Sequence, residues 1–352
     1  MVAKLSKKIA GEWLLIFSLA GVVFTSVYLR RFPVYDETDF KVVYILLVFL
    51  VIIKGLEQSH FLHNMAAKFE QGKWLSQKLI ILTAILSMFV TNDVALLTVV
   101  PLTLALDIDK KALLVILETL TANAASALTP FGNPQNIFIY FHYHLHPVVF
   151  VKTIAPFCLV SLAFIFLVSF IKANLTVLNS RHSGETLNWL AYCYLVFFVC
   201  FILAVLKIIP LAVGGVVLIF ALIFDQKSLR IDWFLLATFV AFFGFTDNLE
   251  KILPISINNS IEAFLYSALG SQIISNVPGA LFFADFTTNW KALLWGVSVG
   301  GFGTLVGSLA SLISYRLYRA KENNTGYFLL LFHLYSFLAF GLGIITYFTL
   351  MI

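Results

Sequence analysis

Charge is what this sequence has least of. Asp, Glu, Lys and Arg make up 12% of its 352 residues, about half the share of an ordinary soluble domain. Hydrophobic residues make up 61% and the mean hydropathy is +0.95. A soluble globule cannot hide that much apolar surface, so a water-soluble protein is excluded. The apolar residues run continuously instead of alternating, which excludes a β-barrel. Cysteine is scarce: Cys158, Cys193 and Cys200 all fall inside apolar runs and offer neither a disulfide framework nor a metal site. HExxH, GxSxG and Walker patterns are missing, so ATP-driven transport and intramembrane proteolysis have no support and no enzyme or cofactor is expected. No small-residue cleavage site follows the apolar segment behind Lys4, Lys7 and Lys8, so it is expected to span and not to be removed. The net charge of +5 sets orientation in a bilayer and does not signal nucleic-acid binding. What is present is an all-α polytopic membrane protein whose first partner is the lipid bilayer.

Plain spans are expected at Gly11–Leu29, Lys41–Leu56, Val148–Ile171, Leu187–Leu206, Ile208–Phe224, Asp232–Thr246 and Tyr327–Thr349. Four other apolar stretches are interrupted. Thr91-Asn92-Asp93 breaks 78–106, and the run from Thr129 to Asn136 breaks 111–140. Ser275-Asn276-Val277-Pro278 breaks 255–287, and Gly300 to Thr304 breaks 291–318. A helix broken in lipid leaves backbone groups unpaired at several kcal/mol each, so such breaks persist only where protein or a cavity receives them.

Loop charges favour two re-entrant hairpins, 78–106 and 255–287. With hairpins and a cytoplasmic N-terminus, inside loops hold about three times as many Lys and Arg as outside loops; if both segments cross, the loops share them equally. Length agrees, since Lys78–Val90 makes about 20 Å of helix against a hydrocarbon core of about 30 Å. The chain also repeats itself. Thr91-Asn92 resembles Ser275-Asn276, and Lys111-Ala112-Leu113-Leu114 recurs as Lys291-Ala292-Leu293-Leu294. Thr129 stands to Gly132 and Tyr140 as Thr304 stands to Gly307 and Tyr315. Inverted-topology repeats are therefore expected. Residues 1–171 form the first, with its hairpin at 78–106 and broken helix at 111–140. A cytoplasmic linker follows at 172–186. Residues 187–352 hold a connector helix and the second repeat, with its hairpin at 255–287 and broken helix at 291–318. Paired broken helices in matching halves point to a transporter site.

Each break presents one helix N-terminus and one C-terminus. N-terminal ends converging on a point favour an anion, while freed carbonyls favour a small cation. The plain alternative, that Asn and Thr merely cap half-helices, does not account for four breaks arranged as a repeat. Asp93 at the first tip is expected to hold Na⁺ or a proton. Glu118, two turns into the first broken helix, is either a proton carrier or a Glu paired near the interface. His333 is expected to be a packed, hydrogen-bonded residue, and Lys54 to pair with Glu57.

The tip Thr91-Asn92-Asp93-Val94-Ala95-Leu96-Leu97, the turn Ala127-Leu128-Thr129-Pro130-Phe131-Gly132-Asn133-Pro134-Gln135-Asn136 and the segment Ser271-Gln272-Ile273-Ile274-Ser275-Asn276-Val277-Pro278 resemble the ion transporter superfamily. That group holds divalent-anion/sodium symporters, citrate transporters, arsenite permeases and sodium/proton antiporters. The sequence is most similar to its small bacterial citrate-transporter-like permeases. The resemblance implies a scaffold and a mobile transport unit working as an elevator in the bacterial cytoplasmic membrane, with homodimers common in the carboxylate branch. It implies a substrate site of Asn92, Thr129, Pro130, Asn133 and Asn136 in one half and Ser275, Asn276, Gly303 and Thr304 in the other. Thr91, Asp93, Asn123 and Glu118 are the expected coupling-ion or proton residues. Carboxylate symporters carry Ser-Asn-Thr at both tips; here Asp93 and Val277-Pro278 follow the tips, which is closer to the arsenite-permease branch. The expected function is secondary transport of a small anion or oxyanion, coupled to Na⁺ or H⁺. A cation/proton antiporter without an anion substrate, an arsenite or antimonite efflux permease and a passive channel stand as alternatives.

Overall fold

The computed structural model describes residues 13–62, 64, 74–106, 108–172, 188–253 and 255–351. Most of the stretch between Gln58 and Trp74 and of the expected linker after Lys172 lies outside these residues. Fifteen α-helices and one 3₁₀ turn make up the regular structure, with no strand among the described residues. The chain opens with α1 (Trp13–Leu29) and α2 (Glu37–Gln58), followed by α3 (Leu75–Phe89) and α4 (Asn92–Ala105). Next come α5 (Lys111–Ser126), α6 (Pro134–His142) and α7 (Pro147–Lys172). Then follow α8 (Trp189–Val205), α9 (Val213–Phe224) and α10 (Trp233–Ile252). The remainder is α11 (Ser260–Ile274), α12 (Asn276–Ala284), α13 (Trp290–Gly300), the 3₁₀ turn Leu305–Gly307, α14 (Leu309–Lys321) and α15 (Thr325–Leu350).

Local chemistry explains where these helices begin. α2 starts ahead of the expected Lys41 because Asp36 and Asp39 form a reciprocal capping box. Lys54 and Glu57 do pair on its last turn, 2.9 Å apart. Pro134 sits at the first position of α6, where its missing N–H costs nothing. The α3–α4 junction passes through Thr91 at φ 138° and the α11–α12 junction through Ser275 at φ 72°. A positive φ at a non-glycine residue is uncommon, and here it occurs at the same place in both helix pairs.

The core is built around the two interrupted helices. Every residue of α5 from Ala112 to Ser126 is buried, and so is every residue of α13 from Ala292 to Gly300. α5 packs against α3, α4, α7, α14 and α15, and α13 packs mainly against α11. The outer helices turn large apolar side chains outward: Phe24 on α1, Ile223 on α9 and Leu330 on α15 are each more than 65% exposed. α7 and α15, 26 residues each, are long and apolar enough to cross a bilayer by themselves.

Five contacts fix which helix ends lie together. The Ile257 N–H donates to the Phe286 carbonyl (2.6 Å), and the Thr287 hydroxyl donates to the Ile257 carbonyl (2.7 Å), so the segment from Ile257 to Thr287 folds back on itself. Lys111 at the start of α5 pairs with Glu322 just past α14 (3.1 Å). The Tyr143 hydroxyl, beyond α6, lies 2.7 Å from the Thr287 carbonyl. Arg31, beyond α1, pairs with Asp247 on α10.

Candidate functional site

Both interruptions are braced, each by one side-chain amide. The first lies between Ser126 and Pro134. Pro130 within it has no N–H and keeps Thr129 out of the helical region. A Cβ at Gly132 would drive into the Ser126 carbonyl oxygen, so only glycine lets the turn close. The Asn136 amide nitrogen stands 3.2, 3.0 and 2.8 Å from the carbonyls of Ser126, Ala127 and Thr129. Asn133 caps α6 by accepting from the Asn136 N–H (2.9 Å) and donates its own amide to the Ser126 hydroxyl (3.2 Å).

The second interruption, between Gly300 and Leu309, is braced from outside. Gln272 on α11 donates to the carbonyls of Gly300 (2.9 Å) and Phe302 (3.0 Å), and its side-chain oxygen accepts from the Thr304 N–H (2.7 Å). The Gly303 N–H donates to the Ser336 hydroxyl on α15 (2.8 Å). Ser308 caps α14. The threonines hold matching bonds: Thr129 donates to the Met88 carbonyl (2.6 Å) and Thr304 to the Gln272 carbonyl (3.0 Å). Met88 precedes Thr91 by as many residues as Gln272 precedes Ser275.

The two interruptions meet at Asn123. Its amide donates to the Gly301 carbonyl (3.1 Å) and lies 3.4 Å from the Ser311 hydroxyl. Its side-chain oxygen accepts from Ser308 (2.9 Å) and from the Asn92 amide (3.3 Å). Asn276 crosses from the other tip: a Cβ at Gly301 would lie 2.9 Å from the Asn276 amide nitrogen. Asn92, Asn123, Asn276, Ser308 and Ser311 are all buried. The groups bonded here are uncharged; Asn92 and Asn276 begin α4 and α12 and Ser308 caps α14, so three helix N-termini lie at the junction.

Of the expected residues, Asn92, Asn123 and Asn276 converge on this junction. Asn133, Asn136, Thr129, Gly303 and Thr304 shape the turns around it. Pro130 and Ser275 are buried in the first turn and at the second tip. Thr91 and Asp93 are half-buried at the first tip; the Asp93 N–H donates to the Asn92 side chain (3.0 Å), and one carboxylate oxygen of Asp93 is buried without a partner. Glu118 stands apart, fully buried, accepting from the Thr103 hydroxyl on α4. His333 is bonded to the Leu329 carbonyl (2.8 Å), as a packed residue would be. A cavity of about 760 Å³ lies elsewhere, at the end of α2 beside Asp225, Lys227 and Arg230. A smaller one of about 210 Å³ is lined by Asp36, Asp39, His142, Asp247, Glu250 and Asp285.

Sequence reasoning missed Ser126, Gln272, Ser308, Ser311 and Ser336. Ser308 and Ser311 could have been found: they stand to Thr304 as Asn133 and Asn136 stand to Thr129. Gln272 carried no such signal, because its bracing amide depends on how α11 packs on α13. Ser126 and Ser336 carry no signal that separates them from other serines in apolar helices.

The sequence matches the citrate transporter family, CitMHS, over residues 8–300, a stretch holding both tips, the first interruption and α13. It is 31% identical over 301 residues to an uncharacterized transporter of Methanocaldococcus jannaschii, which covers 81% of this chain and 82% of that one. It is 32% identical over 308 residues to the inner membrane protein YbiR of Escherichia coli, covering 82% and 81%.

Proposed function

The chain belongs to the citrate transporter family, and from that premise we propose that it is a secondary active transporter of a small anion or oxyanion, carboxylate or inorganic, coupled to Na⁺ or H⁺. One observation carries the reading. Asn123 from the first interrupted helix is bonded at once to the second interrupted helix and to the first tip. Asn92, Asn276 and Thr304 are the substrate contacts, with Thr129, Asn133, Asn136, Ser275 and Gly303 holding the turns that aim helix N-termini at the anion. Freed carbonyls with Thr91 and Asp93 hold the coupling ion. Asp93 lies in the first turn of α4, where the helix dipole favours a carboxylate.

The inverted-repeat reading gains support from the paired threonine bonds to Met88 and Gln272 and from the paired positive-φ tips. Two hairpins entering from opposite faces fit the helix ends that lie together. If 78–106 and 255–287 both crossed the membrane, Lys111 and Glu322 would fall on opposite sides of it, and so would Tyr143 and Thr287, yet each pair is bonded. With hairpins, both pairs share a side. The scheme keeps the N-terminus in the cytoplasm, the protein in the bacterial cytoplasmic membrane, and an elevator movement of the hairpins and interrupted helices against a scaffold, in a homodimer.

A thermal-shift screen of purified protein tests the function. Citrate, succinate, phosphate, sulfate and arsenite are each tried in Na⁺ and choline buffers at two pH values. A ligand that binds only the folded state raises the melting temperature by mass action. One anion is expected to stabilise, more strongly with Na⁺ or at low pH. Stabilisation by Na⁺ alone would move the assignment to a cation/proton antiporter, the reading favoured by the unpartnered oxygen of Asp93. Asp93→Asn is expected to abolish coupled uptake while the protein folds; normal coupled uptake in that variant would remove Asp93 from the ion site.

A further inference from the structure

Glu118 is a carboxyl sealed inside the protein, away from the Asn123 junction. It is 0% exposed. One oxygen accepts from the Thr103 hydroxyl on α4, which is also 0% exposed; the other oxygen has no partner. Among the described residues Glu118 forms no ion pair. Five helices pack against α5. Their charged and titratable side chains include Lys78 on α3, Asp93 on α4, Lys152 and Lys172 on α7, Arg316 and Arg319 on α14, and His333 on α15. None of them bonds to Glu118. Beside it, Thr119 ties α5 to Ser314 on α14 through a hydroxyl pair (2.7 Å). The polar surroundings of Glu118 are therefore hydroxyls, which can share a proton but cannot neutralise a charge.

A sealed, ionised carboxylate with one hydroxyl partner and no cation is among the most costly arrangements a protein can hold. A neutral acid at the same place loses only one hydrogen bond. We infer that Glu118 is held as the neutral carboxylic acid in the closed α4–α5 seam and is the group that exchanges a proton when α4 draws away from α5. On opening, the O–H bond breaks, the proton passes to water and the carboxylate is hydrated; on closing, the reverse restores the acid. The seam cannot close on the ionised form, so proton occupancy and the position of the first tip are linked. This deepens the transport reading by naming the proton as a coupling ion and placing it about 7 Å along α5 from Asn123, by helical rise. The protonation state itself stands without that reading.

Two arms test it separately. In the first, infrared spectra of lipid-reconstituted protein near neutral pH are compared between wild type and Glu118→Gln. The wild type is expected to show a protonated-carboxyl C=O stretch that the variant lacks, and equal spectra would overturn the inference. If Glu118→Gln does not fold, Thr103→Val serves: removing the one partner should shift that same stretch, and an unmoved spectrum would overturn it. In the second arm, vesicles loaded with citrate report exchange and uphill uptake driven by a pH gradient. Glu118→Gln should keep exchange and lose the uphill uptake. Loss of both would make Glu118 a structural residue, and retention of both would remove it from coupling. If wild-type protein moves no citrate at all, the failure belongs to the substrate assignment and the infrared arm still decides Glu118.

Discussion

The two interrupted helices solve one problem in different ways. Each frees carbonyls in the protein interior, and each meets two or more of them with one primary amide, Asn123 taking the Gly301 carbonyl of the second. In the first, the amide is Asn136, seven to ten residues along the same chain from the carbonyls it serves. In the second, it is Gln272, on a helix of the neighbouring hairpin. The first turn is closed by its own helix and moves as one piece with it. The second is closed only while α11 stays against it, so displacing that hairpin strips two carbonyls of their donor. Matching interruptions with different bracing leave one turn closed by its own chain and the other dependent on α11.

The strongest way to break this comparison is to remove each brace in turn. Asn136→Ala takes the amide donor from the carbonyls of residues 126, 127 and 129, of which the last keeps the Gly132 N–H, and should lower stability by about 1–3 kcal/mol, with the loss visible as a reduced melting temperature. Gln272→Ala should lower global stability less and instead speed hydrogen exchange in residues 300–308. The opposite ranking would reverse the assignment of self-closed and dependent turns. Next in size, Gly132→Ala puts a methyl against the Ser126 carbonyl and should cost about 1–3 kcal/mol. Gly307→Ala, where the nearest carbonyl is 2.7 Å from the added carbon, should cost less. Thr129→Val and Thr304→Val sharpen the symmetric part: each removes one equivalent bond and should cost about 0.5–1.5 kcal/mol, and a pair differing by more than that range would count against the repeat.

The smallest effect concerns the outer cavity. Burial, reinforced by the charges of Glu250, Asp247 and Asp36 and opposed by the Thr246 hydroxyl, pushes the Asp285 carboxyl up to about 6. Burial does the same to Asp39, also to about 6. A folded value above the unfolded one, about 3.9, means the native state binds the extra proton. That contribution is complete below about pH 4 and is lost as pH rises through about 6. The protein should melt lower at about pH 7.5 than at about pH 5, and Asp285→Asn should narrow that gap by raising the higher-pH value.

The fold class was legible in composition, and the four interruptions were legible as polar residues inside apolar runs. Spans without caps were less so: α2 starts at Glu37 because a capping box sets it, and hydropathy alone placed it at Lys41. Thr129 and Thr304 could be paired from spacing alone, since a repeat preserves spacing. Gln272 could not, because its task is set by the packing of α11 on α13, which no local pattern encodes. Ser308 was hidden by chemistry: the repeat keeps a cap at that place but changes Asn133 to Ser308, and a residue-by-residue match passes over it.

The bonds of Asn123 also constrain how the protein is made. Asn123 leaves the ribosome almost two hundred residues before its partners Gly301, Ser308 and Ser311. During that interval a polar amide meant for the protein interior has no receiver from the second half, in a helix that also carries Glu118, Thr119 and Thr121. The early half must stay in contact with water or with the insertion machinery until α13 and α14 arrive. Half-proteins ending near residue 172 should accordingly be held by the translocon or degraded, and co-synthesis of the missing half should rescue them.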